Sequence, residues 1–166
     1  MRIRVIPVLC LCLAAGIRLA NAQTSVQVDA SKLEGPRVLA KQTERAAVRD
    51  YLQAWKSLSA AMNQNRVDLL DQDFVGIALD KLSATVRDQQ RLGIRTAYQD
   101  LSHDVHLVFY SPEGLSIQML DNVEYNVQLI DHDKVLTTQR AHARYVVVLT
   151  PSEVRWQVRI FQGDPQ

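Results

Sequence analysis

Residues 102–161 read SHDVHLVFYSPEGLSIQMLDNVEYNVQLIDHDKVLTTQRAHARYVVVLTPSEVRWQVRIF. Apolar and polar residues alternate over four segments of this stretch, which is typical of β-strands with one buried face. Three short turn-like segments, SPEG, DHDK and TPSE, separate them at 111–114, 131–134 and 150–153. Because turns this short join neighbouring antiparallel strands, the pattern predicts a four-stranded antiparallel meander.

The alternation defines an apolar and a polar face for every segment. In the second segment Ile117, Met119 and Val123 oppose Asn122 and Glu124. The other predicted apolar faces are Val105, Leu107 and Phe109; Ala141, Ala143, Tyr145, Val147 and Leu149; and Val154, Trp156, Val158 and Ile160. A sheet with one apolar face needs a covering layer.

Amphipathic helices upstream can supply that layer. Apolar residues recur every three or four positions from Val48 to Met62, which predicts a long helix over about 36–63. A short helix over 65–71 and a third helix from Phe74 to Leu92, ended by Gly93, follow. Helices followed by long strands indicate an α+β fold, and strands this long usually curve, so we expect a strongly curved sheet that forms a cone around the helices.

The first 22 residues have the features of a signal peptide. Arg2 and Arg4 precede an apolar run from Val5 to Ile17, and Ala20-Asn21-Ala22 is a cleavage pattern. We therefore expect export, to the periplasm or outside the cell, with no stable membrane insertion after cleavage. An uncleaved N-terminal anchor is the alternative.

Removal of residues 1–22 changes the composition of the chain. Both cysteines, Cys10 and Cys12, are lost, which excludes a disulfide framework and thiolate metal sites. Loss of Arg2, Arg4 and Arg18 leaves sixteen basic against eighteen acidic residues, a net charge of −2. A nearly neutral chain of mixed charge has no electrostatic signature of a nucleic-acid partner. No glycine-rich phosphate loop is present, and we expect no cofactor.

The rest of the chain forms one domain. Residues 23–35 (QTSVQVDASKLEG) keep no helical or strand period, so we predict a flexible lead there. Residues 36–166 contain no repeat, low-complexity stretch or linker and are predicted to be a single domain.

Three motifs carry a resemblance to a known family. They are the Tyr-Leu-x-Ala-Trp core of the long helix at 51–55, the Asn-Arg-Val-Asp-Leu-Leu segment at 65–70, and Glu-Val-Arg-Trp-Gln-Val at 153–158. With the helix that ends in Gly93, these resemble the nuclear transport factor 2-like (cystatin-like α+β cone) superfamily over residues 38–162. The superfamily includes ketosteroid isomerase-like and polyketide cyclase-like enzymes, transport adaptors and exported domains. The import-associated domain of plastid division and mitochondrial translocation proteins has a similar element order, so fold alone does not choose a function.

Asp121 is the candidate catalytic residue. It lies on the otherwise apolar face of the second strand, between Met119 and Val123. A carboxyl group in an apolar cone has a raised pKa, which suits a general base. The alternatives are a bulge that turns Asp121 outward, or pairing with a nearby arginine or tyrosine.

Tyrosines can complete such a site by donating hydrogen bonds to a ligand carbonyl. If the protein is an enzyme, Tyr51, Tyr98 and Tyr145 are the candidate donors. The alternative is that these aromatic residues belong to the core. The predicted pocket lining is Tyr51, Trp55, Tyr98, Met119, Asp121, Tyr125 and Tyr145.

The histidines give no metal site. His103 and His106 have opposite parity on a strand and point to opposite faces, so they cannot bind one ion without a bulge. His132 lies in a turn, and His142 lies between Arg140 and Arg144 on the polar face.

Charged residues on the polar face are a candidate interface. Glu124, Arg140, Arg144, Arg155 and Arg159 form either a solvated face with cross-strand ion pairs or a surface for a homodimer or partner protein.

The function expected from the sequence is that of an exported, non-enzymatic domain that binds a small apolar ligand or a partner protein in or around its cone. The alternative is an enzyme of the isomerase, dehydratase or cyclase type, with Asp121 as general base and tyrosines as donors.

Overall fold

The computed structural model describes residues 23–165. Its strand order is β1-β2-β3-β4-β5 in a single sheet. The elements are strand β1 (Ser25–Asp29), helix α1 (Lys41–Gln64), a 3₁₀ turn (Val67–Leu69), helix α2 (Gly76–Leu92), and strands β2 (Ile94–Tyr110), β3 (Ile117–Asp131), β4 (Lys134–Pro151) and β5 (Trp156–Pro165). Residues of both helices and of the sheet pack in one core, so the α+β class expected from the sequence is confirmed.

Helix α1 forms the axis of the cone. Ala47, Tyr51, Ala54, Leu58 and Ala61 recur at helical spacing on its buried face and pack on the sheet. The helix ends at Asn65, whose left-handed backbone (φ 52°) is one that asparagine tolerates. The Asn65 side chain also donates to the Ile94 carbonyl at the start of β2, so the end of α1 is tied to the sheet.

The sheet has five strands, and the prediction of four antiparallel strands is therefore wrong in one respect. Strands β2 to β5 form the predicted antiparallel meander, but β1 pairs in parallel with β2, so the sheet is mixed.

The flexible lead predicted for residues 23–35 is also wrong. Val26 and Val28 of β1 pair with His103 and Val105, and Glu34 forms a bridge with Phe109. Because β1 has only five residues, its alternation is too short to distinguish a strand from a loop by sequence alone. The domain therefore begins before residue 36. The predicted signal peptide lies outside the described residues.

Bulges change which residues of β2 and β5 face the core. The register shifts between Leu107 and Phe109, so Tyr110 becomes buried and the predicted core residue Phe109 is 37% exposed. A second shift, between Val148 and Leu149 of β4, leaves Arg159 as the extra residue of β5. Phe161, rather than the predicted Ile160, then contacts the core aromatics.

None of the helices within residues 23–165 combines the length and the apolar character needed to cross a bilayer.

Candidate functional site: an aromatic cavity above a buried polar network

Asp121 lies at the centre of a buried polar network. Strand β3 runs without a bulge at this point, so Asp121 pairs with Val105 on one side and Tyr145 on the other and keeps its inward direction. Its side chain is fully buried. Asp121 Oδ2 accepts a hydrogen bond from the Tyr51 hydroxyl (2.7 Å) and lies 2.7 Å from Nδ1 of His103. Asp121 is therefore held by α1 and β2 at once.

His103 reaches this network because of a bulge in β2. The register shift between Asp100 and Ser102 places Leu101 outside the ladder, so Asp100 and His103 both face inward. His103 Nε2 lies 3.9 Å from Asp100 Oδ2. Burial disfavours the charged imidazole, but the nearby Asp100 carboxyl, the hydrogen bond to Asp121 and the charges of both carboxyl groups outweigh it and raise the pKa of His103 to about 9.

Tyr51 connects the network to Trp55. The indole Nε1–H of Trp55 donates to the Tyr51 hydroxyl (2.8 Å), which in turn donates to Asp121. Burial and the neighbouring Asp121 charge raise the pKa of Tyr51 well above its ordinary value, so the phenol stays protonated. The chain Trp55–Tyr51–Asp121–His103 thus fastens the middle of α1 to β2 and β3.

Two carboxylate oxygens of the network lack a partner. Asp121 Oδ1 and Asp100 Oδ1 are buried and accept no hydrogen bond from any described residue. Buried acceptors of this kind are uncommon in proteins. They lie on the two carboxyl groups that face His103.

A cavity of about 290 Å³ lies at the open end of the cone, next to this network. Residues from both helices and from β2 to β5 contribute to its wall. The lining residues are Trp55, Leu58, Met62, Leu82, Thr85, Tyr98, Tyr125, Ala143, Tyr145, Phe161 and Gly163. Their side chains are aromatic or aliphatic, and the polar groups among these described residues are three phenols, one indole N–H and one threonine hydroxyl.

The aromatic rings of the wall are packed against one another. Tyr145 stacks on Phe161 with ring centroids 4.6 Å apart, and Tyr98 meets Tyr125 edge-on at 5.5 Å. Burial raises the pKa of Tyr98 to about 12, and burial together with the neighbouring Tyr125 phenol also raises the pKa of Tyr145. The phenols of Tyr98 and Tyr145 therefore remain neutral donors over the physiological pH range.

Trp55 separates the cavity from the polar network. The centroid of its ring lies 5.3 Å from the centroid of the His103 ring and 5.1 Å from that of the Tyr145 ring. Trp55 itself is 2% exposed. None of Tyr51, His103 and Asp121 is among the residues that line the cavity.

The predicted site residues thus fall into two layers. Trp55, Tyr98, Tyr125 and Tyr145 line the cavity, whereas Tyr51, Met119 and Asp121 are buried beneath it. Of the alternatives for Asp121, the structure shows pairing with a tyrosine and no bulge at that position.

His103 and Phe161 are among the positions of the candidate site that were missed from the sequence. His103 lies two residues before Val105, so the alternation of β2 places both side chains on the apolar face. The position of His103 could therefore have been predicted from the sequence. Phe161 had no such signal, because the bulge at Arg159 that turns it inward is a tertiary feature. Within residues 23–165 no group of three or more His, Cys, Asp or Glu side chains is placed to hold a metal ion.

The charged residues predicted as one interface do not share a face. Glu124 pairs with Arg140 on the outer face, where His142 and Arg144 also lie. Arg155 Nη1 instead contacts Asp73 Oδ1 (2.9 Å) beside α1. Arg159 is the bulge residue of β5, next to Gly76 at the start of α2. The prediction of a single surface is therefore wrong for Arg155 and Arg159.

Solved structures with the same architecture are known. The intermembrane space region of the chloroplast protein ARC6 superposes with a TM-score of 0.62 at 19% sequence identity, covering 78% of this chain and 98% of that one. A putative scytalone dehydratase from Novosphingobium aromaticivorans gives 0.55 at 10% identity, over 76% and 89% of the two chains. A hexachlorocyclohexane dehydrochlorinase (LinA) type 2 gives 0.51 at 9% identity, over 76% and 87%.

These likenesses define the fold. The chain has the nuclear transport factor 2-like fold that its sequence resembles. Of these three structures, two are named as enzymes and one is a region of a chloroplast protein. The fold alone therefore does not determine the function. No family model matches the sequence, and no curated protein matches it either.

Proposed function

We propose that this protein is an exported, non-enzymatic domain that binds a small, uncharged and largely apolar molecule in the cavity at the mouth of its cone. The observation that carries the proposal is the cavity wall, in which aromatic and aliphatic side chains surround a few neutral hydroxyls. Pockets with an apolar wall and few convergent polar groups are the usual form of a small-molecule site.

The wall also defines the class of ligand. A charged group would enter without a counter-ion, because no carboxylate, ammonium or guanidinium is among the described lining residues, and burying an unpaired charge is costly. The phenols of Tyr98, Tyr125 and Tyr145 offer donors to a carbonyl or hydroxyl oxygen. A volume of about 290 Å³ is at the lower end of ligand pockets and suits a compound of one or two rings.

The hydrogen bonds of Asp121 and His103 support a non-catalytic role. A general base must come within hydrogen-bond reach of the proton that it removes. Both side chains are at most 2% exposed and are bonded to each other, with the Trp55 ring between them and the cavity. We infer that the network holds the wall of the cavity in place.

The N-terminal residues support export. Arg2, Arg4, the apolar run and Ala20-Asn21-Ala22 have the order of a cleavable signal. The similar ARC6 region is, by its name, part of an intermembrane space, which is compatible with a domain that works outside the compartment of its synthesis. We propose a periplasmic or secreted location.

Titration with 1-tetralone tests ligand binding. This uncharged bicyclic ketone fits the proposed class, and we expect it to quench tryptophan fluorescence saturably. Thr85→Phe, at an exposed position of α2 on the cavity rim, should weaken binding at least tenfold by filling the entrance.

The matched control is Ala84→Phe, which places the same ring at the neighbouring exposed position, outside the lining. It should bind within twofold of wild type. The charged analogue 1-naphthoate should bind at least tenfold more weakly than 1-tetralone. Equal binding of the ketone and the carboxylate, or equal losses in the two variants, contradicts the proposal.

A second candidate function is proton transfer by the His103–Asp121 pair. One observation favours it: the pair lies only one ring away from the cavity, since Trp55 contacts both. Two proteins of similar fold are by name a dehydratase and a dehydrochlorinase. The chemistry would require the Trp55 ring to move.

Exchange of the carbon-bound protons of 1-tetralone tests this candidate. A general base would remove a proton next to the carbonyl, and solvent D2O would return a deuteron. We expect wild type to exchange these protons no faster than Thr85→Phe, the variant in which the cavity entrance is filled. Exchange that wild type catalyses and Asp121→Asn abolishes would favour the enzyme.

A further inference from the structure

A second open site lies on the outer side of α1, away from the cavity. It is a groove of about 990 Å³ between α1, β1 and the turn that joins β4 to β5. We call it the α1 groove. Its lining residues are Val28, Glu44, Arg45, Val48, Arg49, Asp50, Leu52, Gln53, Lys56, Gln72, Val154 and Arg155.

The floor of the α1 groove is apolar because α1 does not cover the whole concave face. Val28 lines the groove and pairs with Val105, and Val26, two residues earlier on the same face of β1, pairs with His103, so both continue the core-facing side of the sheet. Val26 and Val28 are nevertheless 40% and 43% exposed. Val154, in the opposite wall, is 81% exposed. Contiguous exposed apolar surface with a polar rim marks interaction sites in soluble proteins.

The rim of the groove carries excess positive charge. The two acidic groups are already paired: Glu44 Oε2 lies 2.9 Å from Lys41, and Asp50 Oδ1 lies 2.9 Å from Arg49. Arg45 and Lys56 form no salt bridge with any described residue. Eleven residues separate them on one face of the helix, about 16 Å at the rise of an α-helix.

The wall formed by β1 also has a free backbone edge. β1 is the first strand of the sheet and pairs only with β2 among residues 23–165. Its other edge presents unpaired amide and carbonyl groups, which can accept an added strand. Thr24 Oγ1 donates to the Asp100 carbonyl and fixes the beginning of β1. The unpaired edge of β1 is therefore held in an extended conformation to which another strand can pair.

We propose that the α1 groove binds an extended acidic segment of a partner protein, which adds to β1 as a further strand. Alternate apolar side chains of that segment would contact Val48, Leu52 and Val154, and its carboxylates would meet Arg45 and Lys56. The first 22 residues of this chain are unsuitable as the occupant, since they contain three arginines and no acidic residue.

Fluorescence anisotropy with a labelled eight-residue peptide that alternates valine and glutamate tests this proposal. The variant Arg45→Glu/Lys56→Glu should bind at least tenfold more weakly than wild type, because attraction becomes repulsion at both ends of the groove. Affinity for wild type should fall as salt rises.

Lys81→Glu/Arg87→Glu is the matched control, with the same charge change at exposed positions of α2 outside the groove. It should bind within threefold of wild type. A peptide alternating valine and lysine should not bind, and amide NMR shifts with the valine–glutamate peptide should centre on β1 and the outer face of α1.

Three results would overturn the proposal. They are equal loss of binding in both double variants, equal binding of the two peptides, or shifts centred on the cavity residues. A concentration-dependent dimer that light scattering detects and that Arg45→Glu/Lys56→Glu disrupts would also overturn it, because the groove would then belong to a second copy of this chain.

Discussion

Single residues of the buried network explain how a polar cluster persists in the core. The Tyr51 hydroxyl is the essential member, because it accepts from Trp55 and donates to Asp121. Its removal would leave the Trp55 indole N–H without a partner and would leave Asp121 Oδ2 with His103 alone. A buried unsatisfied group costs about 1–3 kcal/mol, and a lost hydrogen bond to a charged group costs about 1.5–3 kcal/mol.

Tyr51→Phe should therefore lower the free energy of unfolding by about 2–4 kcal/mol. Urea denaturation followed by far-ultraviolet circular dichroism measures the loss. Tyr110→Phe is the matched control, since Tyr110 is 5% exposed and its hydroxyl bonds to no described residue. It should cost less than about 1 kcal/mol. Equal costs in the two variants would show that the Tyr51 hydrogen bonds contribute little.

His103 should make stability depend on pH in a defined direction. Its pKa is raised from 6.5 to about 9 in the folded protein, so protonation favours folding. The contribution, on the order of 3 kcal/mol, is complete below about pH 6.5 and is lost as pH rises through about 9. Urea denaturation between pH 6 and 9.5 measures it.

His103→Gln should remove this pH dependence, whereas His142→Gln, on the exposed outer face, should retain it. The test is the difference in slope between each variant and wild type, because other groups titrate in the same range. An unchanged slope in His103→Gln would contradict the assignment.

The polar network was only partly predictable from single residues. The alternation of β3 alone predicts that Asp121 faces inward, and the prediction is correct because β3 has no bulge at this position. Its partner Tyr51 is seventy residues away, so the pairing depended on the packing of α1 and could not be inferred from spacing. Trp156 is a further example: the alternation placed it on the apolar face, yet it is only partly buried.

At the scale of elements, the approach of the chain to β2 depends on one glycine. Gly35 has φ +131°, and a Cβ added there would clash with the Tyr110 carbonyl oxygen. The backbone hydrogen bonds that Glu34 makes with Val108 and Tyr110 lie beside this contact. The connection between β1 and α1 therefore cannot accept a side chain at this point.

Gly35→Ala should lower the free energy of unfolding by about 2–4 kcal/mol, because the clash with backbone adds to the strained φ. Gly76→Ala is the comparison: its φ is also positive (+57°), but an added Cβ would lie 3.8 Å from its nearest neighbour. That variant should cost about 1 kcal/mol. Urea denaturation of both variants measures the difference, and a cost for Gly35→Ala no larger than that for Gly76→Ala would contradict the predicted clash.

Elements were predictable to different degrees. The helices and the meander have periods long enough to identify from sequence, although α1 begins at Lys41 and not near residue 36 as predicted. The five residues of β1 and the bulges at Leu101, Val108 and Arg159 depend on pairing with distant strands. That is why Phe109 and Ile160 were placed in the core in error.

At the scale of the whole molecule, two of the openings that residues 23–165 form lie beside α1. The aromatic cavity lies at the mouth of the cone, and the α1 groove lies on the other side of the helix. The two share no lining residue. Their proposed ligands also differ in chemistry, an uncharged ring compound in one and an acidic strand in the other.

The two openings should therefore respond separately to substitution. Thr85→Phe should weaken 1-tetralone binding and leave the affinity of the valine–glutamate peptide within twofold of wild type. Arg45→Glu/Lys56→Glu should do the reverse. Measuring both affinities in both variants completes the comparison, and a parallel loss of both ligands in either variant would indicate a general loss of structure.

We propose that the ligand binds in the cavity beside Trp55, and not at the His103–Asp121 pair beneath it. The most direct measurement is an NMR experiment that records nuclear Overhauser contacts between 1-tetralone and the labelled side chains of the protein. We predict contacts with the rings of Tyr98, Tyr125 and Tyr145 and none with the His103 imidazole. Contacts between the ketone and His103 would contradict this assignment, because they would place the ligand at the buried pair.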